Sequence, residues 1–229
     1  VRDVTPYVTG ISEARGGSGN PSPITAYGVY MGMKAAAKYK FGTDNLAGKS
    51  ILVQGIGHVG EVLVEHLTKE GAIVTISDIN EDRLHQVGSK YGAKIFTGEN
   101  LYASEVDIYA PCALGATIND DTIKLIKAKV IAGAANNQLA NEVVHGKILK
   151  DKGILYAPDF LINAGGVINV YSELAKLTKE EVIEKTENIY NTALEIFNLA
   201  DTKDITTNQA ALSIAQKRID DRKKEKEGK

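Results

Sequence analysis

Three glycines in the first half of the chain have the spacing of a loop that holds phosphate groups. They belong to the segment Gly55, Ile56, Gly57, His58, Val59, Gly60, Glu61, which matches G-x-G-x-x-G over its first six residues. In this pattern the first glycine allows a tight turn, the second lets the backbone approach a pyrophosphate, and the third lets a helix pack against a strand. The free N–H groups at the start of that helix would bind the anion.

An acidic residue follows the glycine loop at the distance expected for a dinucleotide site. Asp78 ends the next predicted strand, roughly 20 residues after Gly55. Its carboxylate would accept hydrogen bonds from the ribose hydroxyls of adenosine and would repel a 2′-phosphate, so the pattern predicts NAD and not NADP. The alternative is an ordinary tight turn followed by a surface aspartate.

Two segments rich in amide side chains come after later predicted strands. Asn136 and Asn137 follow the strand around Ile131, and Asn163 follows the strand at 154–156. Ligands of open α/β sheets bind beyond the carboxyl ends of the strands, so these amides are candidates for contacts with a ribose, a carboxamide or an amino acid. Asparagine also caps helices and turns chains, and that structural role stays open for both segments.

Other kinds of chemistry have no support in the residue pattern. Cys112 is the single cysteine and has no evident base, so we expect a small buried thiol there and no nucleophile. The four histidines lack the spacing of a metal site, and no metal is predicted. Tyr30 and Lys34 have a Tyr-x-x-x-Lys spacing, but they precede the glycine loop and are expected to share one helix face.

Short apolar runs alternate with helical patterns from residue 50 to residue 156. The predicted strands are 51–53, 73–76, 94–96, 106–109, 129–132 and 154–156, and the predicted helices are 22–41, 58–69, 81–91, a short one from 119, and 141–151. Because crossovers between parallel strands are right-handed, helices should cover both faces. The predicted fold class is α/β, a Rossmann-type doubly wound and mainly parallel sheet with C-terminal helices. Ser22 is expected to cap the first helix and Gly42 to end it.

The pattern also divides the chain into parts. We expect an interdomain loop segment at 1–20, an NAD-binding Rossmann domain at 21–160, a helical C-terminal segment at 161–215 and a charged tail at 216–229. An apolar stripe in the helical segment consists of Val182, Thr186, Ile189, Tyr190, Ala193, Leu194 and Phe197. The stripe is expected to be buried, and the tail to be a solvated helix end or a frayed terminus.

Composition restricts the class of partner. The 229 residues are 43% hydrophobic, and their 27 basic and 29 acidic residues are spread along the chain for a formal net charge of −2. This even distribution gives no basic patch that would bind nucleic acid or an anionic membrane, so small molecules are the expected partners. No apolar run has the length of a membrane span, no signal peptide is recognised and one cysteine excludes an internal disulfide, so a cytoplasmic location is expected.

Four segments resemble, in order, motifs of the glutamate/leucine/phenylalanine/valine dehydrogenase family. They are Ser18-Gly19-Asn20-Pro21-Ser22-Pro23, Ala110-Pro111-Cys112-Ala113-Leu114-Gly115, Ala134-Ala135-Asn136-Asn137-Gln138 and Asn163-Ala164-Gly165-Gly166-Val167. The resemblance covers residues 1 to about 215. It implies oxidative deamination of an L-amino acid to its 2-oxo acid and ammonia, with hydride passing from Cα to NAD in a cleft between two domains. It also implies a homo-oligomer, and with it that the apolar stripe packs against another domain or subunit.

Carried onto this sequence, the resemblance implies a set of ligand contacts. It makes residues 55–61 the pyrophosphate loop and Asp78 the ribose acceptor. Contacts near the nicotinamide are assigned to Thr25, Ala113, Asn136 and Asn163. The substrate is assigned Asn137 at its amino-acid end, with Val167 and Val170 in its side-chain pocket. Two small branched residues there favour an aliphatic substrate, namely leucine, valine or isoleucine.

The chain departs from the family pattern in two places. His58 stands where the family commonly has asparagine, and a protonated imidazole there would attract phosphates. The family's catalytic lysine and aspartate lie upstream of Val1, which implies a missing N-terminal catalytic domain and leaves no catalytic residue in this chain. Alone, the chain is expected to bind NAD weakly and to turn over nothing.

Two alternatives to this interpretation stay open. The first is a catalytically inactive NAD-binding module or truncated fragment, although such a module would not need the amino-acid contacts at Asn137, Val167 and Val170. The second is another dehydrogenase class with a different base, for which the sequence offers Asp159 or His145.

Overall fold

Strands and helices alternate along most of the computed structural model, which describes residues 4–5 and 8–227. The strands are β1 Ser50–Gln54, β2 Ile73–Ser77, β3 Lys94–Ile95, β4 Ile108–Pro111, β5 Val130–Ile131 and β6 Leu155–Tyr156. The helices are α1 Ser22–Phe41, α2 His58–Lys69, α3 Glu81–Tyr91, α4 Thr122–Leu125, α5 Glu142–Asp151, α6 Asp159–Ile162, α7 Gly165–Ala175, α8 Lys179–Glu187, α9 Ile189–Lys203 and α10 Thr207–Glu227.

The strands form one parallel sheet in the order β3-β2-β1-β4-β5-β6 within the described residues. The order reverses direction between β1 and β4, which creates a crevice at their carboxyl ends where ligands of such folds bind. The predicted fold class is confirmed.

Alternate residues of the central strand enter two different cores. Ile51 and Val53 join a core with α1, α2 and α9, whereas Leu52 joins a second core with α4 and α5. Successive side chains of a strand point to opposite faces, so helices on both sides are needed to bury a strand that is apolar throughout.

The boundaries of α1 differ in part from the prediction. The helix begins at Ser22, but Pro21 occupies the N-cap position and no side chain caps the helix. The Ser22 N–H instead donates to Oδ1 of Asn20, at 3.0 Å. Gly42 ends the helix as predicted, with φ of +80° and its N–H bonded to the carbonyl of Lys38. The expectation of a Ser22 cap is therefore wrong, because the helix starts one position earlier than expected and Ser22 is its first helical residue.

The apolar stripe of the C-terminal helices lies inside this chain's own core. Val182, Ile189, Ala193 and Phe197 are buried, and the last three join the core that contains α1. The expectation that the stripe packs against another domain or subunit is therefore wrong. Close approach is possible because α1 has a glycine where the stripe meets it: a Cβ on Gly28 would lie 3.0 Å from Cδ1 of Ile189.

The charged end of the chain is an exposed helix. Helix α10 continues to Glu227, and nearly all of its described side chains after Gln216 are exposed. This agrees with the predicted solvated helix end. None of the helices in the described ranges is long and apolar enough to cross a membrane.

Removal of a stripe side chain tests this burial. Phe197 is 1% exposed, so Phe197→Ala should lower the free energy of unfolding of the isolated chain by about 3–5 kcal/mol, measured by urea denaturation. Leu212→Ala, at a position 56% exposed on α10, serves as the control and should change it by less than about 0.5 kcal/mol. An unchanged stability in Phe197→Ala would mean that the stripe is not buried in solution.

Candidate functional site

The glycine loop lies in the crevice between β1 and β4, and two of its glycines are required by contacts. Gly55 has φ of +90°, and a Cβ there would lie 2.7 Å from the Ala113 backbone nitrogen. A Cβ on Gly60 would lie 2.0 Å from the Gly55 carbonyl oxygen. Gly57 differs because a Cβ would meet nothing within 4 Å. Its open side therefore leaves space for a ligand to approach the backbone.

Asp78 holds the glycine loop from the end of β2. Its Oδ2 accepts the Ile56 N–H at 2.8 Å, and its Oδ1 accepts the Asn80 N–H at 3.0 Å. Nε of Arg83 donates to the Ile56 carbonyl at 3.1 Å, so both backbone groups of Ile56 are engaged. An ionised carboxylate has about four acceptor positions, which leaves Asp78 capacity for ribose hydroxyls.

Helix α2 presents an uncapped N-terminus to this crevice. Gly57 is its N-cap residue and no side chain caps the helix. His58, the first helical residue, is exposed. Such an end has free N–H groups and a partial positive charge, which suit a pyrophosphate.

Glu61 makes contacts that join α2 to α3. Its carboxylate bonds to Arg83 and Lys90 and accepts from the Tyr91 hydroxyl. The pKa of Glu61 is lowered, chiefly by its hydrogen bond to Lys90. Among the described contacts, Glu61 of the predicted loop therefore connects α2 to α3.

The two asparagine segments meet beyond β5 and β6. Nδ2 of Asn163 donates to Oδ1 of Asn136 at 2.6 Å and to the Ala134 carbonyl at 3.2 Å. Asn137 adjoins this pair with φ of +52°, a left-handed conformation that asparagine tolerates better than most residues. Both Asn136 and Asn137 are exposed.

A cavity of about 630 Å³ joins these elements. Its lining contains Thr25 of α1, Val59 of α2, Asn136, Asn163, and Val167 and Val170 of α7, with Thr9, Pro21, Ala134, Gly166, Tyr171 and Leu174. The structure therefore brings predicted cofactor contacts and predicted substrate contacts to one cavity. Ala113, Asn137, Asp78 and the residues of the glycine loop other than Val59 are not in its lining. Ala113 lies against Gly55, and the Asn137 carbonyl accepts the Ala116 N–H at 2.7 Å.

A larger cavity of about 800 Å³, between residues 16–24 and helices α7 and α8, contains none of the predicted site residues. Glu173 lines this cavity and binds the backbone of residues 10–18. Its Oε1 accepts the N–H groups of Gly10, Ile11 and Ser18, the last at 2.6 Å. The Ser18 bond is the largest cause that lowers the pKa of Glu173. Sequence reasoning missed this residue because its partners lie about 160 positions away.

The other titratable candidates have structural partners. Asp159 is buried and accepts the Gln138 and Phe160 N–H groups. His145 is also buried, and its ring bonds to Asn141 and Asp120. Neither residue lines the cavity. Both proposed bases thus serve to hold loops and helix ends.

Cys112 and the Tyr30–Lys34 pair behave as structural groups. Sγ of Cys112 accepts the Ala134 N–H at 3.4 Å, and burial raises the pKa of the thiol to about 12. A thiol with that pKa is protonated at neutral pH and is a poor nucleophile. Tyr30 and Lys34 share one helix face, as predicted, and both bond to Glu70. Among the described residues, no three His, Cys, Asp or Glu side chains are grouped to hold a metal.

Comparison with known proteins identifies relatives over nearly the whole chain. Residues 16–81 and 79–227 match the family described as Glutamate/Leucine/Phenylalanine/Valine dehydrogenase. The chain is 53% identical to leucine dehydrogenase of Bacillus subtilis over 96% of its own length and 60% of the relative's. It is 44% identical to phenylalanine dehydrogenase of Lysinibacillus sphaericus, over 94% of its own length and 58% of that relative.

A solved structure gives the same result. The crystal structure of L-tryptophan dehydrogenase from Nostoc punctiforme is similar with a TM-score of 0.85 and 43% identity, covering 88% of this chain and 61% of that protein. The chain thus spans about 60% of the length of the relatives it matches. It belongs to the glutamate/leucine/phenylalanine/valine dehydrogenase family.

Proposed function

We propose that this chain is the NAD-binding half of a dehydrogenase that oxidatively deaminates a branched-chain L-amino acid to its 2-oxo acid and ammonia. One observation carries the proposal. A single cavity is lined by Val59 of the glycine loop, by Asn136 and Asn163 beyond the sheet, and by the α7 valines. A cofactor that begins at the glycine loop would therefore end beside an apolar pocket.

The residues beside the crevice fit NAD. The open side of Gly57 and the uncapped end of α2 suit its pyrophosphate, and the remaining acceptor positions of Asp78 suit the hydroxyls of its adenosine ribose. The charge of Asp78 opposes a 2′-phosphate, which favours NAD over NADP. Bound NAD would supply the hydride acceptor for oxidation at the substrate Cα.

Asn163 is suited to orient the carboxamide of the nicotinamide. Its Nδ2 is occupied by Asn136 and Ala134, whereas no described residue donates to its Oδ1. That oxygen is left to accept a carboxamide N–H. Thr25 lies across the cavity, and its hydroxyl donates to the Pro21 carbonyl at 2.9 Å, so a hydroxyl lone pair remains for a ligand donor. Ala113 packs against the loop at the cofactor side, and Asn137 is assigned the substrate's polar end.

The apolar wall of the cavity supports an aliphatic substrate. Val167, Tyr171 and Leu174 lie on one face of α7 and are 73%, 54% and 67% exposed. Such a face binds apolar side chains when water is excluded. In the proposed whole enzyme a second domain closes the cleft and supplies the lysine and aspartate that transfer protons. Copies of the whole enzyme form a homo-oligomer.

A change at Asp78 tests the cofactor assignment. Asp78→Asn removes the charge but keeps one acceptor oxygen for Ile56. Loss of charge-assisted hydrogen bonds, at about 1.5–3 kcal/mol, should weaken NADH binding by about tenfold or more. It should also lower the ratio of the affinity for NADH to the affinity for NADPH. Fluorescence titration with each nucleotide measures both. The exposed Asp82 of α3 supplies the control, because Asp82→Asn should leave both affinities unchanged. Equal affinity of the unmodified chain for both nucleotides would contradict the assignment.

Fusion to the amino-terminal part of a relative tests the activity. This chain alone should produce no NADH from NAD with leucine, valine or isoleucine at mildly alkaline pH, because an acid/base contribution of about 10²–10⁴ in rate is absent. Fusion to the amino-terminal part of B. subtilis leucine dehydrogenase should restore NADH formation. Turnover by the chain alone would reveal a base within it. An inactive fusion that still binds NAD would favour the non-catalytic binding module.

The pocket assignment is tested in that fusion protein. Val170→Ala enlarges the cavity by two methyl groups, so the ratio of kcat/KM for phenylalanine to that for leucine should rise about tenfold, since each methylene is worth about 1–3 kcal/mol. Val143→Ala, at a position 76% exposed on α5, is the matched control and should leave the ratio unchanged. An unchanged ratio in Val170→Ala would remove Val170 from the substrate pocket.

A further inference from the structure

Two buried polar side chains lie behind the asparagine pair of the proposed site. Gln138 is fully buried and Asp159 is 4% exposed. Each follows one of the strands whose loops carry the site asparagines. Buried polar groups are costly unless they are hydrogen-bonded, so their contacts require an explanation.

Gln138 closes the loop that presents Asn136. Its Nε2 donates to the Gly133 carbonyl at 2.8 Å and to the Ala135 carbonyl at 3.0 Å. Residues 133–138 thus fold around this one side-chain amide. At the start of this loop, a Cβ on Gly133 would lie 2.2 Å from the Pro111 carbonyl oxygen, so the loop rests on β4 and cannot shift toward it.

Asp159 joins that loop to the segment that carries Asn163. Its Oδ2 accepts the Gln138 N–H at 3.2 Å, and its Oδ1 accepts the Phe160 N–H at 2.8 Å at the start of α6. Asn163 follows directly after α6 and donates to Asn136. The buried bond between Asp159 and Gln138 and the exposed bond between the asparagines therefore cross-link the same two segments at two depths.

Among the described residues, the hydrogen bonds of the Gln138 side chain are made by its nitrogen alone. Its Oε1 is buried and has no hydrogen-bond partner among the described residues. An apolar side chain of similar volume would bury no unsatisfied oxygen, but it would not hold the Gly133 and Ala135 carbonyls.

We infer that Gln138, with Asp159, is a positioning residue that holds the Asn136–Asn137 loop against Asn163 in the geometry that receives the nicotinamide. The inference rests on the proposed function, because it names what positions that site's amides. Neither residue lines the cavity. Both act through the asparagines in front of them.

The test compares two ligands that share the pyrophosphate and adenosine but differ in the nicotinamide. Gln138→Met keeps the volume and removes the amide, so the Kd for NADH should rise about tenfold, a loss equivalent to one or two buried hydrogen bonds. The Kd for ADP-ribose, which lacks the nicotinamide, should stay within about twofold because the glycine loop is untouched. Gln216→Met, exposed on α10, is the matched control and should change neither value.

Asp159→Asn provides an independent variant. It keeps one acceptor oxygen, so it should show a smaller loss of NADH affinity with the same unchanged ADP-ribose affinity. Equal weakening of both ligands would indicate general loosening of the fold and would overturn the inference, as would unchanged NADH affinity in Gln138→Met. If the unmodified chain binds NADH no more tightly than ADP-ribose, no nicotinamide contact is positioned and the inference is wrong. Binding of neither ligand would overturn the proposed function itself.

Discussion

The proposed site depends on the common direction of the strands. Because all strands of the described sheet are parallel, their carboxyl ends meet at one edge. The glycine loop follows β1, Asp78 follows β2, and Ala113 follows β4. The asparagine segments follow β5 and β6. A reversal of any one strand would move its polar residues to the opposite edge of the sheet.

The second requirement is close packing of the later helices on α1. Small residues permit it: a Cβ on Gly165 would lie 2.2 Å from the Ile24 carbonyl oxygen, and one on Gly166 would lie 2.7 Å from Oγ1 of Thr25. The start of α7 can therefore approach α1 closely enough for Thr25 and Asn163 to share a cavity. Gly165 and Gly166 thus allow close packing on the substrate side of the cavity, as Gly55 and Gly60 do at the glycine loop.

Polar side chains connect parts of the chain that are distant in sequence. Asp78 holds Ile56, Asp159 holds Gln138, and Glu173 holds the segment around Ser18. Each carboxylate accepts backbone N–H groups, so each loop has a defined position without a regular secondary structure of its own. The catalytic cleft of the proposed enzyme would thus be formed by loops whose positions are set by buried or half-buried acids.

The sequence by itself determined the fold class and the places along the chain where ligand contacts are proposed. Short apolar runs and helical patterns are local signals, and the glycine spacing is a local signal of a tight turn. Tertiary structure decided the partners of the apolar stripe and the contacts of Glu61, Gln138 and Glu173. Those outcomes depend on which surfaces meet across distances of 20 to 160 residues. An amphipathic stripe such as that of Phe197 shows that a face must be buried, but the helix that covers it is set only when small residues on α1 leave room.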